Sequence, residues 1–317
     1  MATAAVAMKS EATHVDVLIV GAGISGIGSA YHLQQQCPGK SYAILEMKDT
    51  FGGTWETHKY PGVRSDSDLY TFGYRFKPWV GTPIASAQAI LDYMGEVIAE
   101  NGIDQHIRYG HRITRAAWDS KTNLWTVEAT DKSGAAKTFT AGFLWMCQGY
   151  YRHDEGYTPV WTDMDKFKGR IVHPQHWPED LDWTGRRVVI IGSGATAVTM
   201  LPAMADRAAH VTMLQRTPGY VMPVPEQDPV ARRLRPWLGE RRTHAITRRI
   251  NIAKQRWVFA LCKRYPDRAR RLIRRVNAKF LPPGYPVDVH FNPPYDPWDQ
   301  RLCAVPGADL FRAIASG

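Results

Sequence analysis

Two glycine turns limit what this chain can fold into. GAGISG (residues 21–26) and GSGATA (192–197) each follow a short apolar run and open a stretch of helical composition. In the first copy VDVLIV (15–20) runs into Gly21, a helical segment extends from Ile24 to about Gln36, and SYAIL (41–45) ends at Glu46. In the second, residues 187–191 read as the strand, 195–206 as the helix and 210–215 as the next strand. Strand, glycine turn, helix and strand, met twice, predict two parallel α/β units. The repeat implies an α/β protein with two dinucleotide-binding (Rossmann-like) domains.

These turns have chemistry as well as shape. Gly21 makes the tight turn, Gly23 lets the backbone approach a pyrophosphate beside Ser25, and Gly26 allows the helix to pack closely on the strand. The helix N-terminus adds the positive end of its dipole. Glu46, 25 residues after Gly21, is placed to accept hydrogen bonds from ribose hydroxyls. The second copy (Gly192, Ser193, Gly194, Ala195, Thr196, Ala197) ends its next strand on Arg216 and Thr217. A cation in place of the acid suits a 2′-phosphate and disfavours NAD. A solvated strand-end arginine is the plainer reading, but no acid lies nearby, which favours NADPH. One acidic and one basic site predict FAD followed by NADPH. FGGTWETHKYPGVRSD (51–66) adds Gly53, Thr54 and Trp55, where small residues let backbone amides approach a flavin or diphosphate. Taken alone, a plain Gly-Gly loop beside a core tryptophan is as good a reading. Arg64, Asp66 and Ile113 complete the candidate flavin-binding residues.

Between the units the pattern predicts a helix over 86–100, antiparallel strands near 107–118 and 123–129, a turn at 131–134 and a strand at 143–147. The expected organisation is a disordered leader (1–14), an FAD-binding domain (15–150), a proline- and tryptophan-rich connector (151–184) and an NADPH-binding domain (185–317). The leader is too short in apolar residues for a signal peptide. No apolar run approaches the roughly 20 residues that span a bilayer. Four scattered cysteines without metal-ligand spacing argue against zinc or a disulfide framework and for a reducing, cytoplasmic setting. The net charge of +10 is concentrated in residues 231–280, with 17 Lys and Arg against two acids. This added basic segment reads as helical, broken at Pro236 and Pro266. Its interleaved aromatics fit peripheral membrane contact better than nucleic acid, for which no recognition motif is present; solvated helix faces are the bland reading.

The connector carries FKGRIVHPQHWP (167–178), with Phe167, Gly169, His173, Trp177 and Pro178 in the spacing FxGxxxHxxxWP. That spacing resembles the fingerprint of the class B flavoprotein monooxygenases, Baeyer–Villiger type. A second family pattern is met by Gly52, Gly53, Trp55, Tyr60, Pro61, Gly62 and Asp66. The stretches YPGVRSDSDLYTFGYRFKPW and IVHPQHWPEDLD are similar to the mycobacterial ethionamide-activating branch. The resemblance implies that NADPH reduces FAD, which then uses O2 to oxygenate hydrophobic ketones to esters or lactones, and sulfur compounds as well. It implies that Arg301 in PWDQRLC is the catalytic cation, held by Asp66, and that His173 couples the cofactor domains. Relatives of this type continue well past the arginine, so the chain is expected to be a fragment or a truncated paralogue. An N- or S-oxygenating flavin monooxygenase and an inactive nucleotide-binding fragment are the rival readings. Trp177 stands where the N-oxygenating enzymes usually carry tyrosine or phenylalanine.

Overall fold

A computed structural model describes residues 12–317. Residues 1–11 of the expected leader lie outside that range, and Thr13 already belongs to a strand. In chain order the first elements are β1 (Thr13–Val20), α1 (Ile24–Gln36), β2 (Tyr42–Leu45), α2 (Thr54–Thr57), α3 (Leu69–Phe72), α4 (Ala87–Glu100), β3 (Ile107–Arg108), β4 (Arg112–Asp119), β5 (Leu124–Thr130) and β6 (Ala136–Met146). Then follow β7 (Arg187–Ile191), α5 (Ala195–Ala205), β8 (His210–Leu214), β9 (Tyr220–Val224), α6 (Pro229–Arg264), α7 (Pro266–Ala278), α8 (Val287–His290), β10 (Leu302–Pro306) and α9 (Asp309–Ser316). They form two compact units. The first combines the chain up to Thr57 with Ile90–Asp154, and the second combines His58–Ala89 with Glu155–Gly317. Residues 58–89 therefore group with the second unit, unlike the contiguous division read from the sequence.

The first unit is one sheet in the order β3-β2-β1-β6-β5-β4. β1 pairs in parallel with β2 and with β6, in a register that sets Val20 beside both Leu45 and Met146. A strand with parallel neighbours on both sides is covered on both faces, which is why residues 17–20 are apolar without alternation. Leu18, Ile19, Ile27 and Ile44 are fully buried there. β4, β5 and β6 form an antiparallel meander, and β6 starts well before the expected 143. The reason is local: Asp131 Oδ1 accepts from the amides of Ser133 and Ala135, closing a tight turn that lets β6 pair from Ala136 onward.

The second unit is built around α5, whose buried Val198, Leu201 and Met204 share a core with Val305, Leu310 and Phe311. β7 and β8 pair in parallel, as do β9 and β10. The β9–β10 pair joins residues some eighty apart, and both strands contain proline. The basic segment breaks at Pro266 as expected, between α6 and α7, but not at Pro236. The chain stays helical through Pro236, and its one non-helical residue within α6 is Gly239 (φ 67°, ψ 178°), which takes that conformation at no steric cost. Pro266 starts α7 at the position where a missing N–H is harmless.

The inner side of α6 is polar and buried. Asp68 Oδ1 caps α3 by accepting from the Tyr70 amide, and Asp228 Oδ1 caps α6 by accepting from Val230 and Ala231. The Asn251 amide donates to the remaining oxygen of each carboxylate, at 2.9 and 3.0 Å. Arg248 donates to the carbonyls of Tyr70 and Gly73, the last turn of α3. Burial raises the Asp68 carboxyl above its ordinary range and lowers the His244 imidazole, whose Nδ1 accepts from the Trp79 amide at 3.0 Å.

Candidate active site

At the C-terminal ends of β1, β2 and β6 the first unit opens a cleft of about 490 Å3. Open α/β sheets hold their ligands at this edge. Gly21, Gly23 and Ser25 line it from the first turn, and Gly53, Thr54 and Ile113 line it from elsewhere in the unit. The two glycine loops touch: a Cβ on Gly53 would lie 3.1 Å from the Gly23 Cα, and the Gly52 amide donates to the Ala22 carbonyl at 3.0 Å. Glu46 also lines the cleft and is itself buried. Its Oε2 accepts from the Ala22 amide at 2.8 Å and its Oε1 from the Lys48 amide at 2.9 Å. A carboxylate has about four acceptor positions, so about two remain for ribose hydroxyls. No side chain caps the start of α1, and the helix end points its dipole into the cleft floor. A dinucleotide fits this donor and acceptor set. The sequence reading missed His111, Arg112 and the stretch 151–154, which also line the cleft. Their only trace in the sequence is position, directly after strands that end at the same edge. Gly26 does not line the cleft; it packs against the turn.

The second turn repeats the geometry. Gly192 (φ 141°) donates its amide to the Leu214 carbonyl at 2.8 Å, and the Ser193 hydroxyl donates to the Thr217 carbonyl at 2.8 Å. These bonds hold the end of β8, with Arg216 and Thr217, against the turn that starts α5. Gly194 leads α5 without a side-chain cap. Arg216 is exposed and, among the described residues, makes no ion pair. Tyr60 is buried in the α5 core and hydrogen-bonds to Thr196, and Gly62 fits where a Cβ would lie 2.6 Å from that of Ala203. The YPG stretch is thus packed onto the helix of the second turn, in the same unit.

The three remaining site residues fall in this unit too. Arg64 binds Asp309 in a bidentate pair, with side chains only 15% and 21% exposed, so its charge is committed within the fold. Arg301 and Asp66 are not joined by an ion pair. Both act on the Cys303 thiol between them in effect: burial pushes that thiol up to about 11, Asp66 adds to the shift and Arg301 opposes it. Between about pH 9 and 11 the folded thiol keeps its proton while the unfolded one has lost it, so this contribution to stability falls as pH rises through that window. Urea unfolding should show a smaller loss between pH 8.5 and 10.5 for Cys303→Ala than for the parent. Equal losses would remove Cys303 from the account.

In the connector, the Phe167 ring lies over Gly169, where a Cβ would sit 2.5 Å from it. The His173 ring lies closer still to Gly156, 2.0 Å from where a Cβ would sit, and its Nδ1 accepts from the Gln175 amide at 3.2 Å, opening a single 3-10 turn that starts at Pro174. Trp177 turns inward against Trp183 and the α5 core. The spacing therefore encodes a ring–glycine contact, a capped turn and an anchor.

Residues 19–80 match the NAD(P)-binding Rossmann-like domain, and residues 83–231 match the flavin-binding monooxygenase-like family. The FAD-containing monooxygenase EthA of Mycobacterium tuberculosis is 50% identical over 306 residues, 96% of this chain and 62% of that relative. The probable FAD-binding monooxygenase AlmA of Acinetobacter sp is 47% identical over 305 residues, 96% of this chain and 61% of the relative. In fold, the chain is like a solved oxidized steroid monooxygenase bound to NADP, with TM-score 0.76 and 23% identity over 94% of this chain and 64% of that one. The chain thus spans about three fifths of the length of the curated relatives it matches. With two glycine-turn units and half its residues shared along nearly its whole length, the chain is similar to FAD-containing monooxygenases, and its residues 83–231 match the flavin-binding monooxygenase-like family.

Proposed function

We propose that the chain carries the FAD and NADPH sites of a Baeyer–Villiger-type monooxygenase. Its substrates would be hydrophobic ketones, converted to esters or lactones with one oxygen atom from O2, and sulfur compounds that it oxygenates. The observation that carries this reading is the opposite charge at two like places: Glu46 buried and accepting at the end of β2, Arg216 exposed and unpaired at the end of β8. The bound flavin, once reduced by NADPH, supplies the oxygen activation. The chain's own residues bind and orient. Glu46 holds the ribose of FAD, and the amides of the first turn face its pyrophosphate. Ser193 fixes the strand end on which Arg216 meets the 2′-phosphate of NADPH. Trp177 in the fingerprint supports ketone over amine oxygenation.

The test is cofactor binding by the purified chain, followed by product analysis. The chain should retain flavin absorbance after gel filtration. Arg216→Ala should weaken NADP+ binding about 10- to 100-fold, the loss of one charged hydrogen bond of about 1.5–3 kcal/mol, and leave NAD+ binding unchanged. Equal losses for both nucleotides would remove the 2′-phosphate role, and an N-oxide product in place of an ester would replace the ketone assignment.

A further inference from the structure

Nine of the 17 basic side chains of residues 231–280 fall into two groups. The first faces the protein. Arg270 binds Asp296 at 3.0 Å, Arg274 binds Asp288 through two nitrogens, Lys263 binds Asp299, and Arg235 and Arg248 serve oxygens of the α3 segment. The second faces away. Arg264, Arg268, Arg271 and Arg275 are exposed, and among the described residues none has an acid within ion-pair distance. Arg264 and Arg268 both lie over the Tyr265 ring, 5.4 and 5.3 Å from its centroid, which sets the end of α6 beside the start of α7.

Large apolar side chains share this outer face. Along α6, Trp257, Leu261 and Arg264 recur at i, i+4 and i+7; along α7, Arg268, Leu272 and Arg275 do the same, with Arg271 beside them. Trp257 is 64% exposed and Leu272 57%, while the opposite side of α7 buries Ile273 and Asn277. Guanidiniums alternating with an indole and leucines suit a surface that is anionic at its rim and apolar just beneath. A nucleic-acid backbone would use the arginines and leave Leu261 and Leu272 without partners. No helix among the described residues is long and apolar enough to cross a membrane, so the face can only rest on one.

We propose that the outer face formed by Trp257, Leu261, Arg264, Arg268, Arg271, Leu272 and Arg275 docks the protein on anionic lipid bilayers. The proposal stands apart from the cofactor assignment, because none of these residues belongs to either nucleotide turn. The full chain is sedimented with vesicles of phosphatidylcholine alone or with one third phosphatidylglycerol. It should bind the anionic vesicles and release as salt rises, since exposed charges are screened within about 8 Å at physiological ionic strength. Each basic residue near such a surface strengthens binding about fivefold, so replacing Arg268, Arg271 and Arg275 by Gln should weaken it roughly 100-fold. The same three positions changed to Lys should keep most of the binding, and Leu272→Asn should lower what survives at high salt. Thermal melting confirms that each variant is folded; should the Gln variant not be, the salt series and the Lys variant decide the case. Binding to neutral vesicles as strong as to anionic ones overturns the proposal. So does undiminished binding by the folded Gln variant, or capture by RNA with no vesicle binding.

Discussion

Gly26→Ala should abolish the folded first unit and, with it, flavin uptake. A Cβ on Gly26 would lie 1.9 Å from the Gly21 carbonyl oxygen and 3.0 Å from its carbon. Both clashing atoms are backbone, so no rotamer change relieves the overlap; α1 must move away from the turn after β1. That turn is fixed on its other side, because the Gly21 amide donates to the Leu45 carbonyl at 2.8 Å. Moving α1 would uncover Ile27 and Ala30, which are fully buried. Overpacking a core commonly costs about 1–3 kcal/mol, and a backbone-on-backbone overlap at a strand–helix junction belongs at or above the upper end. The measurement is thermal unfolding with retained flavin absorbance, beside Gly39→Ala as a control, since nothing lies within 4 Å of a Cβ there. A Gly26→Ala protein that melts within a degree or two of the parent and keeps its flavin would show that the turn does not depend on this close approach.

The same contact explains why so much of the first unit could be read from the sequence. Strand, turn, helix and strand are adjacent in the chain, their apolar runs are unbroken, and Glu46 follows β2 directly; each signal is local. What escaped the reading is non-local. β9 finds β10 across the whole basic segment, and proline in both strands disguises them. Arg64 is a candidate flavin-binding residue in the sequence, yet its partner Asp309 lies 245 residues on. The buried inner side of the basic segment also escaped, because composition carries no direction. Thr243, His244 and Thr247, buried on the side facing the α3 segment, are hidden in the same run of letters as the exposed arginines. The fingerprint lies between these cases: its spacing was legible, but its physical content, a ring over Gly169 and a histidine capping a turn, needed coordinates.

The arginines at 64 and 301 should separate in experiment into one that holds the fold and one that serves the reaction. Arg64 donates through both terminal nitrogens to Asp309, whose Oδ1 also accepts from the Leu310 amide at 2.7 Å in the first turn of α9. Removing the guanidinium leaves a carboxylate that is only 21% exposed without its cation. Breaking a fully buried pair costs about 3–5 kcal/mol, so about 2–3 is expected at this partly buried site. At that size the melting temperature of Arg64→Ala should fall by roughly 5–10 °C. Replacing both partners with apolar residues should recover part of the loss, since no charge is then stranded. Arg301 is exposed and has no ion pair among the described residues, so Arg301→Ala should change stability by less than about 0.5 kcal/mol. If its free cation stabilises charge that develops during oxygen transfer, ketone oxygenation by the FAD- and NADPH-loaded protein should fall roughly 10²- to 10³-fold, the cost of losing one such donor. NADP+ affinity, proposed to depend on Arg216, should hold steady. A stable Arg64→Ala would detach α9 from the Arg64 loop. An Arg301→Ala protein that either melts early or still makes ester at the parent rate would return Arg301 to the ordinary surface.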